Sequence, residues 1–281
     1  MKVISTISEL ENVLVKYKSE NKKIGLVPTM GALHQGHVSL FKYAKRENDI
    51  VVGSIFVNRI QFNNPDDFAK YPKNPEQDIA MLTNMCDVLF MPEENEIYSG
   101  MKKIEVNLGI LSEIMEAKFR PGHFNGVAQI VYRLFELTKP DVAYFGQKDL
   151  QQCKVIEAMV NQYNLPVELK ICPIIREDDG LAMSSRNVRL NSDARSIAPK
   201  LFIALNHAGD LMQFGDSVQQ AKQKTETLLS KFASIKLEYF EIVDAGTLEP
   251  VSDVKPQDKI ALCIAAYLDG VRLIDNIIII S

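Results

Sequence analysis

The chain is expected to fold as an α/β protein: a doubly wound parallel sheet over residues 1–174, followed by a smaller α+β domain over 175–281. Three observations predict this. Short, nearly continuous apolar runs alternate with segments of helical spacing through the first 170 residues or so. The alternation stops near Ile174, and long strand-like runs joined by tight turns close the chain. The length of 281 residues is enough for roughly two domains at about 150 residues each.

Ile24 to Pro28 is a short apolar run entering a glycine-containing loop, and His37 to Lys45 then has a helical apolar face of Val38, Leu40, Phe41 and Ala44. Asp49 to Val57 is almost wholly apolar, as a strand buried on both faces must be. Glu76 to Met85 returns to helical spacing, and Asp87 to Met91 is another short strand. Phe124 to Leu137 (helix), Asp141 to Phe145 (strand), Asp149 to Gln162 (helix) and Val167 to Ile171 (strand) complete the alternation, a Rossmann-like order. Residues 191–232 are helical in pattern with a break near Gly215. Lys236 to Val243, Lys259 to Ala266 and Val271 to Ile280 are strands, and Asp269-Gly270 is a tight hairpin turn between the last two.

Composition narrows the function classes. Hydrophobic residues at 46% and charged residues at 24% exclude a mainly disordered chain. A net charge of −4 and a pI near 5.7 argue against a protein that coats nucleic acid, while leaving room for a local basic pocket. Cys86, Cys153, Cys172 and Cys263 form no C-x-x-C pair and only four histidines are present, so reduced thiols are expected and a structural zinc site is not. No apolar run approaches the ~18 residues of a membrane span, and the first residues lack a signal-peptide core. A soluble, cytoplasmic protein without membrane or nucleic-acid partners is expected.

The most informative segment is Pro28-Thr29-Met30-Gly31-Ala32-Leu33-His34-Gln35-Gly36-His37. It joins the first strand of the alternation to its helix, where doubly wound sheets bind ligands. Gly31 and Gly36 have P-loop spacing, but His37-Val38 stands where that motif needs Lys-Ser/Thr. His34 and His37, three apart, fall on one face of the opening helical turn. Imidazole N–H groups at a helix N-terminus suit a phosphate whose charge grows in a transition state. The pair alone reads more readily as two surface histidines, one of them capping the helix; the strand–loop–helix context and the scarcity of histidine elsewhere shift the balance toward the phosphate.

The ten-residue loop resembles the HIGH-type signature of the nucleotidylyltransferase superfamily, and in its fuller form that of the pantoate–β-alanine ligase family. Four further segments carry the resemblance: Phe56 to Phe62 (FVNRIQF), Arg120 to Phe124 (RPGHF), Phe145 to Gln152 (FGQKDLQQ) and Asp179 to Asn187 (DGLAMSSRN). The closing Arg272-Leu273-Ile274-Asp275-Asn276 also fits. They run in family order from about residue 24 to the end.

The resemblance implies ATP-dependent condensation of pantoate with β-alanine through a pantoyl adenylate, releasing pyrophosphate and AMP. It implies catalytic roles for His34, His37 and Lys148. ATP is expected on Met30, Gly36, His37, Gly146, Lys148, Asp149, Ser184, Ser185 and Arg186. Pantoate is expected on Met30, Asn58, Gln61 and Gln152, with Arg120 and His123 bordering the substrate pocket. ATP brings Mg2+, for which Asp78 is the implied ligand, and a homodimer is implied. Read without the resemblance, Asn58 could simply shape a turn, Gln61 could be solvated, Asp149 could cap a helix, and Ser184 could cap within a linker.

Two departures from the family pattern stand out: Arg59 at a position that is typically Pro, and Gln147 where Glu is usual. Two other functions stay open at this point. One is another HIGH-type nucleotidylyltransferase, which would show no dependence on an amine. The other is a non-catalytic ATP-binding module, which the presence of His34, His37, Lys148 and Arg186 disfavours.

Overall fold

The computed structural model of the chain describes residues 1–280. It divides into two compact units. The first comprises Met1–Ser112, Ala117–Gln147 and Gln152–Pro173; the second runs from Ile174 onward and also takes in Glu113–Glu116 and Lys148–Gln151.

The first unit holds six strands: β1 (Lys2–Ile4), β2 (Ile24–Thr29), β3 (Ile50–Ile55), β4 (Val88–Phe90), β5 (Val142–Gly146) and β6 (Glu168–Cys172). All pairs are parallel, in the order β1-β4-β3-β2-β5-β6. The strand order reverses between β2 and β5, and in such sheets the crevice outside the carboxyl ends at the reversal is where ligands sit. The loop after β2 and Gly146 at the end of β5 both lie there.

The helices are α1 (Ile7–Ser19), α2 (Gln35–Glu47), α3 (Pro65–Ala69), α4 (Pro75–Leu82), α5 (Glu94–Tyr98), α6 (Met115–Phe119), α7 (His123–Thr138) and α8 (Leu150–Gln162). Phe41, Leu40 and Ala44 of α2 pack with Val27, Val51, Leu89 and Tyr144 in a continuous core. β1 and α1 carry too little apolar pattern to be read from sequence. Only Ile4 of β1 and only Leu10 and Leu14 of α1 are buried.

In the second unit α9 (Ser192–Ile197), α10 (Lys200–Gln213) and α11 (Val218–Ser230) pack on an antiparallel sheet of β7 (Lys236–Asp244), β8 (Lys259–Leu268) and β9 (Val271–Ile280). Ala204, Ala208 and Ala221 are fully buried, small enough for helices to sit close to Phe240, Leu262 and Ile264. Asp269 and Gly270 both have positive φ, 49° and 72°, as the expected two-residue hairpin requires.

The unit boundary lies at Pro173/Ile174, one residue before the expected one, and two segments expected in the first domain group instead with the second. Glu116 is ion-paired to Arg272, and the Lys148 carbonyl accepts a hydrogen bond from Asn276.

All four cysteines are free and buried. Burial pushes the Cys86 and Cys263 thiols up to about 12 and Cys172 to about 11, which suits inert thiols. Among the described residues no helix is long and apolar enough to cross a membrane.

Candidate active site

The loop after β2 is folded by hydrogen bonds to its own backbone. Gly31 and Ala32 take positive φ, 79° and 50°. Gly31 has no room for a side chain, since a Cβ there would lie 3.0 Å from both Asp78 and Ile55. The two oxygens of Asp78, on α4, accept the N–H groups of Ala32 (2.9 Å) and Leu33 (2.7 Å). This corrects the expected metal role. Asp78 is 2% exposed and braces the loop with both oxygens, so it does not fit as a ligand to Mg2+. Among the described residues no group of three or more His, Cys, Asp or Glu side chains could hold a metal ion.

The bracing delivers His34 to the N-cap of α2. Its Nδ1 accepts from the Gly36 N–H at 3.1 Å, while His37 Nδ1 accepts from the His34 N–H at 3.3 Å, a reciprocal capping box made by two histidines. Backbone N–H groups can only donate, so each Nδ1 is the acceptor and each ring carries its proton on Nε2. The rings stand 4.1 Å apart, centroid to centroid. Capping and ligand donation are therefore compatible: one nitrogen of each ring serves the helix, and the other carries an N–H at the helix's positive end.

A second cluster in the first unit centres on Gln61, in the short 3-10 turn Arg59–Gln61 after β3. Asn58 is 1% exposed and fully engaged. Its Nδ2 donates to Gln61 Oε1 (2.9 Å) and to the Gly126 carbonyl (3.0 Å), and its Oδ1 accepts from the Tyr98 hydroxyl (2.8 Å). Burial pushes the Tyr98 phenol up, so it stays a donor. With its oxygen taken by Asn58, Gln61 presents Nε2, which donates to the Met30 sulfur at 3.1 Å. Asn58, expected to touch pantoate, is held by these bonds and orients the Gln61 amide. Gln61 itself is buried rather than solvated.

His123 Nδ1 donates to the Gln61 carbonyl at 2.7 Å, and its Nε2 accepts from Arg120 at 3.0 Å. Arg120 and His123 thus join the same network. Sequence reasoning did not find Tyr98 or Gly126. Gly126 is signalled only by its place in the HFNGV run, and its reason is close approach. A Cβ there would sit 2.5 Å from the Ile60 carbonyl oxygen and 2.7 Å from Gln61 Cα.

The remaining expected residues divide between the units. Gly146 ends β5 with nothing within 4 Å of where its Cβ would be, so a ligand can lie against the backbone. Gln152 is half-buried on α8 in the first unit. In the second unit Lys148 and Asp149 form a loose 3.8 Å pair, with side chains 18% and 44% exposed. Ser184 Oγ accepts from the Arg186 N–H at 3.2 Å, which turns the chain so that Ser184, Ser185 and Arg186 form one half-buried loop.

The family model for pantoate-beta-alanine ligase matches residues 2–278. The chain belongs to the pantoate–β-alanine ligase family. It is 48% identical over 279 residues to the pantothenate synthetase of Cytophaga hutchinsonii, covering 99% of each chain. It is 47% identical over 278 residues to that of Porphyromonas gingivalis, again at 99% of each. Its fold superposes on the crystal structure of pantothenate synthetase from Thermus thermophilus with a TM-score of 0.92 at 40% identity, covering 99% of both. The pantoate-beta-alanine ligase of Francisella tularensis, crystallised with β-γ ATP and β-alanine, matches with a TM-score of 0.79 at 35% identity, over 99% and 97% of the chains. As a pantoate–β-alanine ligase the chain is an ATP-dependent, AMP-forming enzyme that condenses pantoate with β-alanine.

Proposed function

We propose that the two histidine Nε2–H donors at the start of α2 carry the first half of the reaction. A pantoate carboxylate oxygen attacks the α-phosphorus of ATP, the Pα–O–Pβ bond breaks, and pyrophosphate leaves. His34 and His37 donate to the phosphate oxygens as charge accumulates on them, with no reorientation, because their Nδ1 atoms are already committed to the helix. Lys148 supplies a positive charge for the phosphates. Asp149 accepts the ribose hydroxyls, Gly36 and Gly146 admit the nucleotide, and Ser184, Ser185 and Arg186 hold the departing phosphates.

Pantoate lies against Met30 and Gln61, whose Nε2 is aimed by Asn58, with Gln152 as a further contact and Arg120 and His123 bounding the pocket. The β-alanine amine then attacks the acyl carbon of the mixed anhydride. The bond to AMP breaks and the amine gives up a proton. No side chain becomes covalently attached, and catalysis rests on positioning and charge stabilisation. Mg2+ would come with ATP as part of the substrate and would offset phosphate charge. The resemblance supports a cytoplasmic homodimer, which sedimentation of the purified enzyme checks.

The single observation that carries this reading is the histidine capping box. Its test is exchange of labelled pyrophosphate into ATP with pantoate present and β-alanine absent. Exchange is expected; a strict need for the amine would sink the two-step route.

A further inference from the structure

The reaction just described uses none of the polar residues in Arg272-Leu273-Ile274-Asp275-Asn276, on β9. Their neighbours Val271 and Leu273 are ordinary buried apolar residues, so three polar side chains on one strand of a small core need an explanation.

Asn276 is 3% exposed. Its Nδ2 donates to the Lys148 carbonyl at 3.0 Å, and its own N–H donates to the Asp275 carboxylate at 2.8 Å. Asp275, 4% exposed, accepts two bonds from the Arg176 guanidinium at 2.6 and 3.0 Å. Arg176 also donates to the Gly180 carbonyl (3.1 Å) and the Asn276 carbonyl (3.2 Å), and lies 3.7 Å over the Phe202 ring. It opens a small hairpin, bridged from Arg176 to Ala182, that leads into Ser184. Arg272 is paired with Glu116 at 2.8 Å and with Glu238. The Glu116 N–H donates to Gln151 Oε1 at 2.9 Å, three residues beyond Lys148.

The strand therefore grips the Lys148 segment directly at its carbonyl and again through Glu116 and Gln151. It also holds the stem of the Ser184–Arg186 loop through Arg176. A lysine side chain has four rotatable bonds, so the ammonium can be aimed only if its main chain is fixed.

Resting on the function proposed above, we infer that Asn276 is a positioning residue for adenylation, acting through Lys148, and that Asp275 with Arg176 sets the adjacent loop. Misplacing a reacting group by about 1 Å costs up to ~100-fold.

The test is a double-mutant cycle read in pantoate-dependent pyrophosphate–ATP exchange. Asn276→Ala is expected to lower kcat at least ~10-fold while the KM for pantoate stays within about twofold. In a Lys148→Ala background the same change is expected to add less than about twofold, because no ammonium is left to aim. Equal factors in both backgrounds would overturn the proposal. So would an Asn276→Ala enzyme that folds and turns over normally. If Asn276→Ala does not fold, Asn276→Ser and Asn276→Asp carry the same cycle, and failure of all three to fold makes the residue purely structural and ends the proposal. Absence of exchange in the unmodified enzyme would instead count against the adenylate, and the cycle is then read in net pantothenate formation.

Discussion

The two units order their polar side chains with different materials. In the first, the groups proposed for the reaction are neutral rings and amides whose orientation is settled by hydrogen bonds: His34 and His37 by the backbone of α2, Gln61 by Asn58, and Asn58 by Tyr98 and Gly126. In the second, buried ion pairs hold the frame: Arg176 with Asp275, and Arg272 with Glu116 and Glu238. An amide or an imidazole is read by which way its donor and acceptor point, and in the first unit these bonds fix amide flips and tautomers. A cation attracts an anion from any direction, so in the second unit the position of a charge matters more than its orientation. The Arg176 and Arg272 charges are matched by carboxylates at close range, whereas Lys148 has the loose 3.8 Å pair with Asp149.

The largest effect that would break this contrast is expected at the histidines. His34→Ala and His37→Ala should each slow adenylation at least ~100-fold, the scale for removing a donor to a developing charge. His34→Asn separates the two duties of that ring. Asparagine is a good N-cap and should recover about 1 kcal/mol of stability relative to alanine, yet the exchange rate should stay low. Recovery of rate along with stability would make His34 only a cap. Thermal melts and exchange on the three variants decide it.

Next in size is Gly126→Ala. The added carbon meets main chain at 2.5 Å and 2.7 Å, so α7 and the Arg59–Gln61 turn must part. The pantoate KM should rise ~10- to 100-fold with the ATP KM little changed, and stability should fall by about 1–3 kcal/mol. An equal rise in both KM values would show that the neutral network is not specific to the acid.

Tyr98→Phe sharpens the same point more gently. It strips one partner from a buried acceptor, worth about 1–3 kcal/mol. Loosening of Asn58, and through it Gln61, should raise the pantoate KM roughly 3- to 10-fold. A kinetically silent Tyr98→Phe would remove the tyrosine from the network.

The smallest effect is expected at Arg59. Its guanidinium pairs with Glu94 on the surface, with side chains 62% and 46% exposed. It opens a 3-10 turn, and Asn58 before it has φ −76° and ψ 101°, a conformation that tolerates a following proline. Arg59→Pro should therefore fold, gain up to about 0.4–1 kcal/mol through the unfolded chain, and shift the pantoate KM by less than tenfold. Collapse of pantoate binding in both Arg59→Pro and Arg59→Ala would reassign Arg59 to the site.

Much of the architecture was legible along the chain because it is local. Continuous apolar runs announced β2, β3 and β5, helical spacing announced α2 and α7, and Asp269-Gly270 announced the last hairpin. The histidine pair and its loop were readable for the same reason, since three-residue spacing on a helix start is a local fact. β1 and α1 were not readable, because between them only Ile4, Leu10 and Leu14 are buried and so little apolar pattern is required of them.

What each polar side chain faces was settled by packing between distant segments. Asp78 meets backbone N–H groups 45 and 46 residues away, Tyr98 meets Asn58 40 residues away, and Asn276 meets a carbonyl 128 residues away. Each of these side chains could equally have pointed at ligand, metal or solvent as far as neighbouring residues dictate. Once buried, a donor or acceptor must be satisfied by whatever the fold brings against it. The family, the loop and its two histidines were written in the order of the residues alone. The packing made Asp78 a brace of the loop after β2, set Asn58 against the Gln61 amide, and laid a C-terminal strand against the Lys148 carbonyl.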